Sequence, residues 1–399
     1  MSSVKPMRVA FIAPRLAGNG AVGGAETLLF NLAKRAVEGG HDVTFLTTCA
    51  KNHFTWANEE PAGELVHDGV KVIRFPVNAD RDIDAFLRVQ GAIDEGMEVS
   101  DEDEDLWVRN SVNSDEMMDH IAKTPYERLV VGPYLFGLTL TIADMAPERT
   151  ILVPCLHDEV FARVRRVAKA FHAVHGFCFN TEPERELAVR LYGDGIVAKG
   201  RPSRVVGFAL PDFPADAKAG RATAKVGDAP YILYCGRREP LKGTPLLVDY
   251  WEAFRKSNPT IDLKLVLTGS GDVPVPRGCE KSIIDLGFVS EQEKHDLMAG
   301  ALAFCHASLN ESLGIVLLES WLARRPVLVH ASGVVLREQT KRANGGLWFR
   351  TFLEFQECVR ILLAQPEIAR ELGESGRRFT LSEYSTETVR TRLLQTLAE

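Results

Sequence analysis

Residues 7–48 read MRVAFIAPRLAGNGAVGGAETLLFNLAKRAVEGGHDVTFLTT. MRVAFIAP is a β-rich apolar run, and a glycine-rich loop, RLAGNGAVGGAE, follows it. TLLFNLAKRAVEGG then carries Leu28, Leu29, Leu32, Ala33 and Ala36 near helical spacing and stops at Gly39-Gly40. HDVTFLTT is a second apolar strand. Strand, helix and strand within about 40 residues make the right-handed crossover that builds a parallel sheet.

The same alternation continues outward. VKVIRFP (70–76), RLVVGP (128–133), TILVPCLH (150–157) and GFCFN (176–180) are strand candidates, with helical text such as 159–174 between them. Residues 211–230, PDFPADAKAGRATAKVGDAP, hold almost no large apolar residue and read as a surface linker. The pattern then restarts: YILYCGR, a helix over 244–257, LKLVLTG, SIIDLGFV, a helix over 291–300, ALAFCHAS, a helix over 314–323, PVLVH, and helices from 352 onward. The expected fold is α/β, with two doubly wound, Rossmann-like parallel-sheet domains facing a central cleft. The expected boundaries are 1–210 for the first domain, 211–230 for the linker and 231–381 for the second. A last helix over 382–399 is expected to pack back on the first domain. Ligands belong at the carboxyl ends of such strands.

Composition agrees with a globular chain. Of 399 residues, 45% are hydrophobic and 25% charged, which excludes wholesale disorder, collagen and coiled coil. No apolar run approaches the roughly 20 residues needed to span a bilayer, and the N-terminus has no secretory signature. The seven cysteines are never closer than 23 positions and form no CxxC, so they read as reduced, mostly buried thiols of a cytoplasmic protein. The net charge of −7 is local: DEGMEVSDEDED (94–105) holds eight acidic residues, and the remainder of the chain carries +1. Net charge therefore points to no nucleic-acid partner. VFARVRRVAKAFHAVH (160–175) carries Arg163, Arg165, Arg166 and Lys169 along one helix, which sets the expectation of membrane contact at peripheral attachment to the inner face and no more.

Gly18, Gly20 and Gly23 spell GxGxxG, but Pro14-Arg15-Leu16-Ala17 separate them from the strand, and the second strand ends in Thr-Thr-Cys without a carboxylate for a ribose. That context argues against a dinucleotide cofactor. What remains is a loop ending in Gly23-Gly24-Ala25-Glu26 at a helix start, where backbone N–H groups can meet an anion. In the second half, Cys235-Gly236-Arg237-Arg238 closes a strand and Leu241-Lys242-Gly243-Thr244 opens a helix, a pairing of cations suited to a diphosphate or to plain solvated charge. LTGSGD (267–272) ends another strand with Gly269 and Gly271. SLNESLGIVLLESWLARRPVLVH (308–330) sets Glu311 in a loop and Glu319 inside the following helix. A carboxylate on that apolar helix needs donors, either a salt-bridge partner or sugar hydroxyls. Backbone N–H groups at Gly314, Ile315 and Val316 would aim at phosphate or sugar oxygens.

These motifs, in this order and over nearly the whole chain, resemble the retaining glycosyltransferases of family 4 on the two-domain GT-B fold. The specific signal is Glu-x7-Glu, Glu311 to Glu319, in its flanking text. The resemblance implies a nucleoside-diphosphate sugar on the second domain and a hydroxyl acceptor on the first. It assigns Arg237 and Lys242 to the departing diphosphate, Glu319 to the ribose, Glu311 to the transferred sugar, and Phe288 and Val289 to the edge of the base. Gly24, Gly269, Leu313, Gly314, Ile315 and Val316 would complete the donor site. Glu26 and His157 would face the acceptor, with His157 also beside the donor sugar. It implies no cofactor and no metal, and sets no oligomeric state. Ser312-Leu313 stand where the family often has Gly-Phe, and Trp321 and Arg324-Arg325 replace a stretch of small residues, which bears on the identity of the donor. Rival readings are an NAD-dependent oxidoreductase, a non-catalytic nucleotide-sugar-binding protein on the same fold, and an epimerase or phosphorylase sharing that fold.

Overall fold

The computed structural model describes residues 5–16 and 23–399. Gly18 and Gly20 of the glycine-rich loop lie outside the described residues. The chain divides into two compact units: Met1–Ala209 with Thr386–Glu399, and Leu210–Ser385.

Unit 1 is built on strands β1 (Arg8–Ile12), β2 (Asp42–Thr48), β3 (Gly63–His67), β4 (Val70–Phe75), β5 (Arg128–Val131), β6 (Thr150–Leu152), β7 (Gly176–Phe179) and β8 (Ser203–Val205). They form one eight-stranded sheet in the order β3-β4-β2-β1-β5-β6-β7-β8. Every pairing is parallel except β3 with β4, which is antiparallel. Val9–Ile12 of β1 are fully buried, as expected of a central strand covered on both faces. The helices are α1 (Gly24–Glu38), α2 (Ile83–Asp94), α3 (Asp101–Asn110), α4 (Asp115–Lys123), α5 (Gly137–Met145), α6 (Arg165–Ala173) and α7 (Glu182–Tyr192). The chain's last helix, Thr386–Ala398, packs on α1, β7 and β8 of this unit.

Unit 2 carries β9 (Tyr231–Cys235), β10 (Lys264–Thr268), β11 (Ile283–Asp285), β12 (Ala303–His306), β13 (Val327–His330) and β14 (Gly346–Phe349). Its six-stranded, all-parallel sheet has the order β11-β10-β9-β12-β13-β14. Helices α8 (Ala217–Ala224), α9 (Thr244–Ser257), α10 (Glu291–Gly300), α11 (Ile315–Leu322), α12 (Val334–Ala343), α13 (Phe352–Ala364) and α14 (Pro366–Glu383) belong to it. The chain runs outward from β9 through β10 to β11 and then returns to place β12 on the other side of β9. That reversal opens a crevice at the carboxyl ends of β9 and β12.

The expected class, α/β with two Rossmann-like parallel-sheet domains, is the one found, and several local expectations are corrected. The segment 211–230 is no bare linker: α8 lies within it and packs so closely on α10 that a Cβ on Gly220 would sit 1.9 Å from the Asp296 carbonyl oxygen. Alanine and glycine, read as linker composition, here permit close helix packing. Residues 382 and 383 complete α14, and the last helix starts at Thr386. The text over 159–174 breaks at Val164 into a short 3-10 turn and α6.

Residues 101–105 of the acidic segment form the first half of α3, and their partner is the basic helix α6. Arg165 reaches Asp101 at 2.7 Å, Arg166 reaches Asp105 at 3.2 Å and Asp144 at 2.5 Å, and Lys169 reaches Asp144 at 3.1 Å. Glu104 is buried and accepts the backbone N–H groups of Arg165 and Arg166 at 3.2 and 2.8 Å, capping α6 from another element. Arg163 pairs with Asp158 at 2.6 Å. The four cations expected to meet a lipid surface are thus matched within the unit. No helix among the described residues is long and apolar enough to cross a membrane.

Candidate active site

The loop after β9 sets Arg237 and Lys242, and the loop after β12 sets Ser308 and Glu311. Lys242 and Glu311 meet, with Nζ donating to Oε1 at 2.6 Å. The Ser308 hydroxyl ties the loops again by donating to the Leu241 carbonyl at 3.2 Å. Gly243 makes the join possible: it has φ +70°, and a Cβ there would lie 2.3 Å from the Ala307 carbonyl oxygen.

Glu311 also lies 3.4 Å from Nε2 of His306, a buried residue at the end of β12. Burial pushes the Glu311 carboxyl up, but the hydrogen bonds and charges of His306 and Lys242 outweigh it and hold the group well below the usual carboxylate range. Glu311 is therefore a fixed anion, suited to accept sugar hydroxyls and to face developing positive charge. Arg237 is exposed and lies 3.3 Å from Glu239.

Glu319, on α11, is buried and accepts from Lys294 of α10 at 2.9 Å. Burial pushes its carboxyl up, against the pull of Lys294. Gly314, with φ +75°, precedes α11, so Leu313 is buried beneath the turn while Ile315 and Val316 open the helix, half-buried. Gly269 sits at φ +123°, donates its N–H to the Gly287 carbonyl at 2.8 Å, and lies so close to Gly236 that a Cβ would reach its carbonyl at 1.9 Å. Phe288 is 77% exposed and Val289 half-buried on the loop that follows. Arg238, next to the expected Arg237, is buried instead. It donates to Gly269 O at 2.7 Å and pairs with Asp285, clamping the ends of β9, β10 and β11 together.

Unit 1 places the remaining candidates. Gly24 is exposed at the first turn of α1. Glu26, expected to face an acceptor, is buried in an ion pair with Arg15, at 2.6 Å from Nη2 and 3.0 Å from Nε. The pair ties α1 to the segment that follows β1. His157 is half-buried after β6, 3.8 Å from Glu159, which accepts the Tyr134 hydroxyl at 2.5 Å. Cys155, two residues earlier, holds φ +53°, a strained conformation for a non-glycine residue. Glu184 supports this turn from below. It is buried and accepts the N–H groups of Leu156 at 2.6 Å and Asn180 at 2.5 Å, while burial pushes its carboxyl up to about 8.

Glu291, His295 and Glu319 could bring three ligand atoms within 4.8 Å. The Lys294 ammonium already lies 2.9 Å from both carboxylates and stands in a cation's place between them.

Residues 217–379 match the model of one family, glycosyl transferases group 1. That segment contains the sites on β9 and β12, α10 and α11. D-inositol 3-phosphate glycosyltransferase of Streptomyces avermitilis is 31% identical over 196 residues, covering 44% of this chain and 41% of the relative. The chain spans less than half the length of the curated relatives it matches. Sucrose-phosphate synthase of Thermosynechococcus elongatus superposes with a TM-score of 0.71 at 16% identity, over 98% of both chains. Anabaena HepE, in complex with UDP and glucose, gives 0.68 at 14% identity over 98% of this chain and 99% of its own. The GT-B fold is thus shared from end to end.

His306, Lys294, Arg238, Arg15 and Glu184 were not singled out as partners by the sequence. For Lys294 a signal exists: Leu297 and Met298, three and four positions on, are buried, so Lys294 stands on the inward side of α10.

Proposed function

We propose that the chain is a retaining glycosyltransferase. It moves a hexose-type sugar from a GDP- or UDP-linked donor to an acceptor hydroxyl, in glycan, glycolipid or glycoside biosynthesis. The observation that carries this reading is Glu311, held ionised by Lys242 and His306 at the reversal point of the unit 2 sheet. This point lies inside the segment that matches the glycosyl transferases group 1 model.

The chemistry follows from the leaving group. Breaking the anomeric bond of a nucleoside-diphosphate sugar creates an oxocarbenium-like sugar and a polyanion. Fixed cations at the diphosphate and a placed acceptor lower that barrier. Arg237 and Lys242 supply the cations without a metal, and the Lys242 ammonium can serve Glu311 and a phosphate together because it has three donors. Glu311 accepts from hydroxyls of the transferred sugar, and Glu319 accepts from the ribose. Gly269, Phe288 and Val289 border the base. Retention follows from same-face attack with the leaving phosphate taking the acceptor proton.

The product nucleotide alone tests the donor site. UDP, GDP or ADP that binds the folded chain raises the melting temperature by mass action. One of the three is expected to shift it, in EDTA as well as without; no shift with any of them contradicts the reading.

A further inference from the structure

The two oxygens of Glu319 have different surroundings. Oε1 accepts from the Lys294 ammonium at 2.9 Å. Oε2 is buried without a hydrogen-bond partner among the described residues. A buried carboxylate oxygen left in that state is costly, and a donor hydroxyl from a ligand removes the cost.

Lys294 is the cation that holds this carboxylate in place. Its other contact, Glu291 Oε2 at 2.9 Å, is on a side chain 77% exposed, where solvent weakens the attraction. Its contact with Glu319 is buried on both sides, with side-chain exposures of 16% and 8%. His295, next along α10, stacks on Phe213 with ring centroids 3.6 Å apart and keeps its Nε2 4.0 Å from Glu291 Oε2, beyond hydrogen-bond distance. Without the ammonium, the burial that already pushes the Glu319 carboxyl up would act unopposed by Lys294, and the side chain would be free to rotate. A hydroxyl bonded to a neutral carboxyl is held about half as strongly as one bonded to a carboxylate.

We propose that Lys294 is a positioning residue for nucleotide recognition: it anchors Oε1 of Glu319 so that Oε2 is presented to the hydroxyl pair of a ribose. This rests on the reading that unit 2 binds a nucleoside diphosphate. Lys294 acts through Glu319 and touches no substrate, so its effect is confined to nucleotides that carry the ribose hydroxyls.

The experiment is calorimetric titration of wild type, K294M and K294R with UDP, GDP and ADP, each beside its 2′,3′-dideoxy counterpart. For the ribonucleotide that binds wild type, Kd is expected to rise about tenfold in K294M, matching the loss of one charge-assisted hydrogen bond. K294R should recover most of that loss, and the dideoxy nucleotide should bind wild type and K294M within about twofold of each other. K294Q carries the same comparison if K294M does not fold. Equal ribonucleotide affinity in wild type and K294M, or an equal loss for ribo and dideoxy forms, overturns the role of Lys294 while leaving nucleotide binding intact. A wild type that binds none of the three ribonucleotides is a different pattern and overturns the donor-site reading, and this inference with it.

Discussion

At the residue scale, the chain places charge in apolar surroundings and then fixes each charge with a specific partner. Glu311 with Lys242, Glu319 with Lys294 and Glu26 with Arg15 are ion pairs of this kind. Breaking such a pair from one side costs more than the pair contributes, because the remaining charge stays buried. Glu184 is different, since its partners are backbone N–H groups and burial dominates, raising its carboxyl from 4.5 to about 8. The folded state therefore keeps a proton that the unfolded state releases. The resulting stability is fully present below pH 4.5 and is lost as pH rises through about 8. In urea unfolding, the stability of wild type relative to E184Q is expected to fall as pH rises between these limits, because only the wild type carries this linkage. The Glu-x7-Glu pair was legible in the sequence because its spacing is local. The partners of the two glutamates were not, since Lys294 is 25 positions and Lys242 69 positions away.

At the element scale, two segments read as surface features are structural. The acidic α3 and the basic α6 neutralise each other, and Glu104 ends α6 with its side chain. Glu104→Ala strands two N–H groups and is expected to cost about 2 kcal/mol. Arg165→Ala, on a half-exposed side chain, should cost less than about 1 kcal/mol and should lose its effect at high salt. Chemical denaturation at low and high salt separates the two. A signal was present in the text, because Trp107 and Val108 follow Glu104 at three and four positions and are buried, so Glu104 stands on the apolar face of its helix. Composition hid it, because one buried acid does not stand out in a run of eight. Gly220 makes the same point for α8. A methyl group there would strike the α10 backbone, so Gly220→Ala is expected to cost at least 1–3 kcal/mol by overpacking, measured as a lower urea midpoint. A true linker would tolerate it without change.

At the scale of the whole molecule, the topology was legible because apolar strands alternating with amphipathic helices leave few alternatives. What the sequence did not supply was strand order, since β3, β8 and β14 are short and either weakly apolar or at sheet edges. Order matters for function: it places β9 beside β12, and so brings Lys242 to Glu311. The central claim is that this junction transfers a sugar with retention. Donor hydrolysis followed by proton NMR tests it without knowledge of the acceptor, because water can take the acceptor's place. With UDP-glucose and GDP-mannose offered separately, wild type is expected to consume one donor and to release the α-anomer first, and E311Q to be slower by about a hundredfold or more. Release of the β-anomer first, equal rates in wild type and E311Q, or no consumption of either donor would contradict the account.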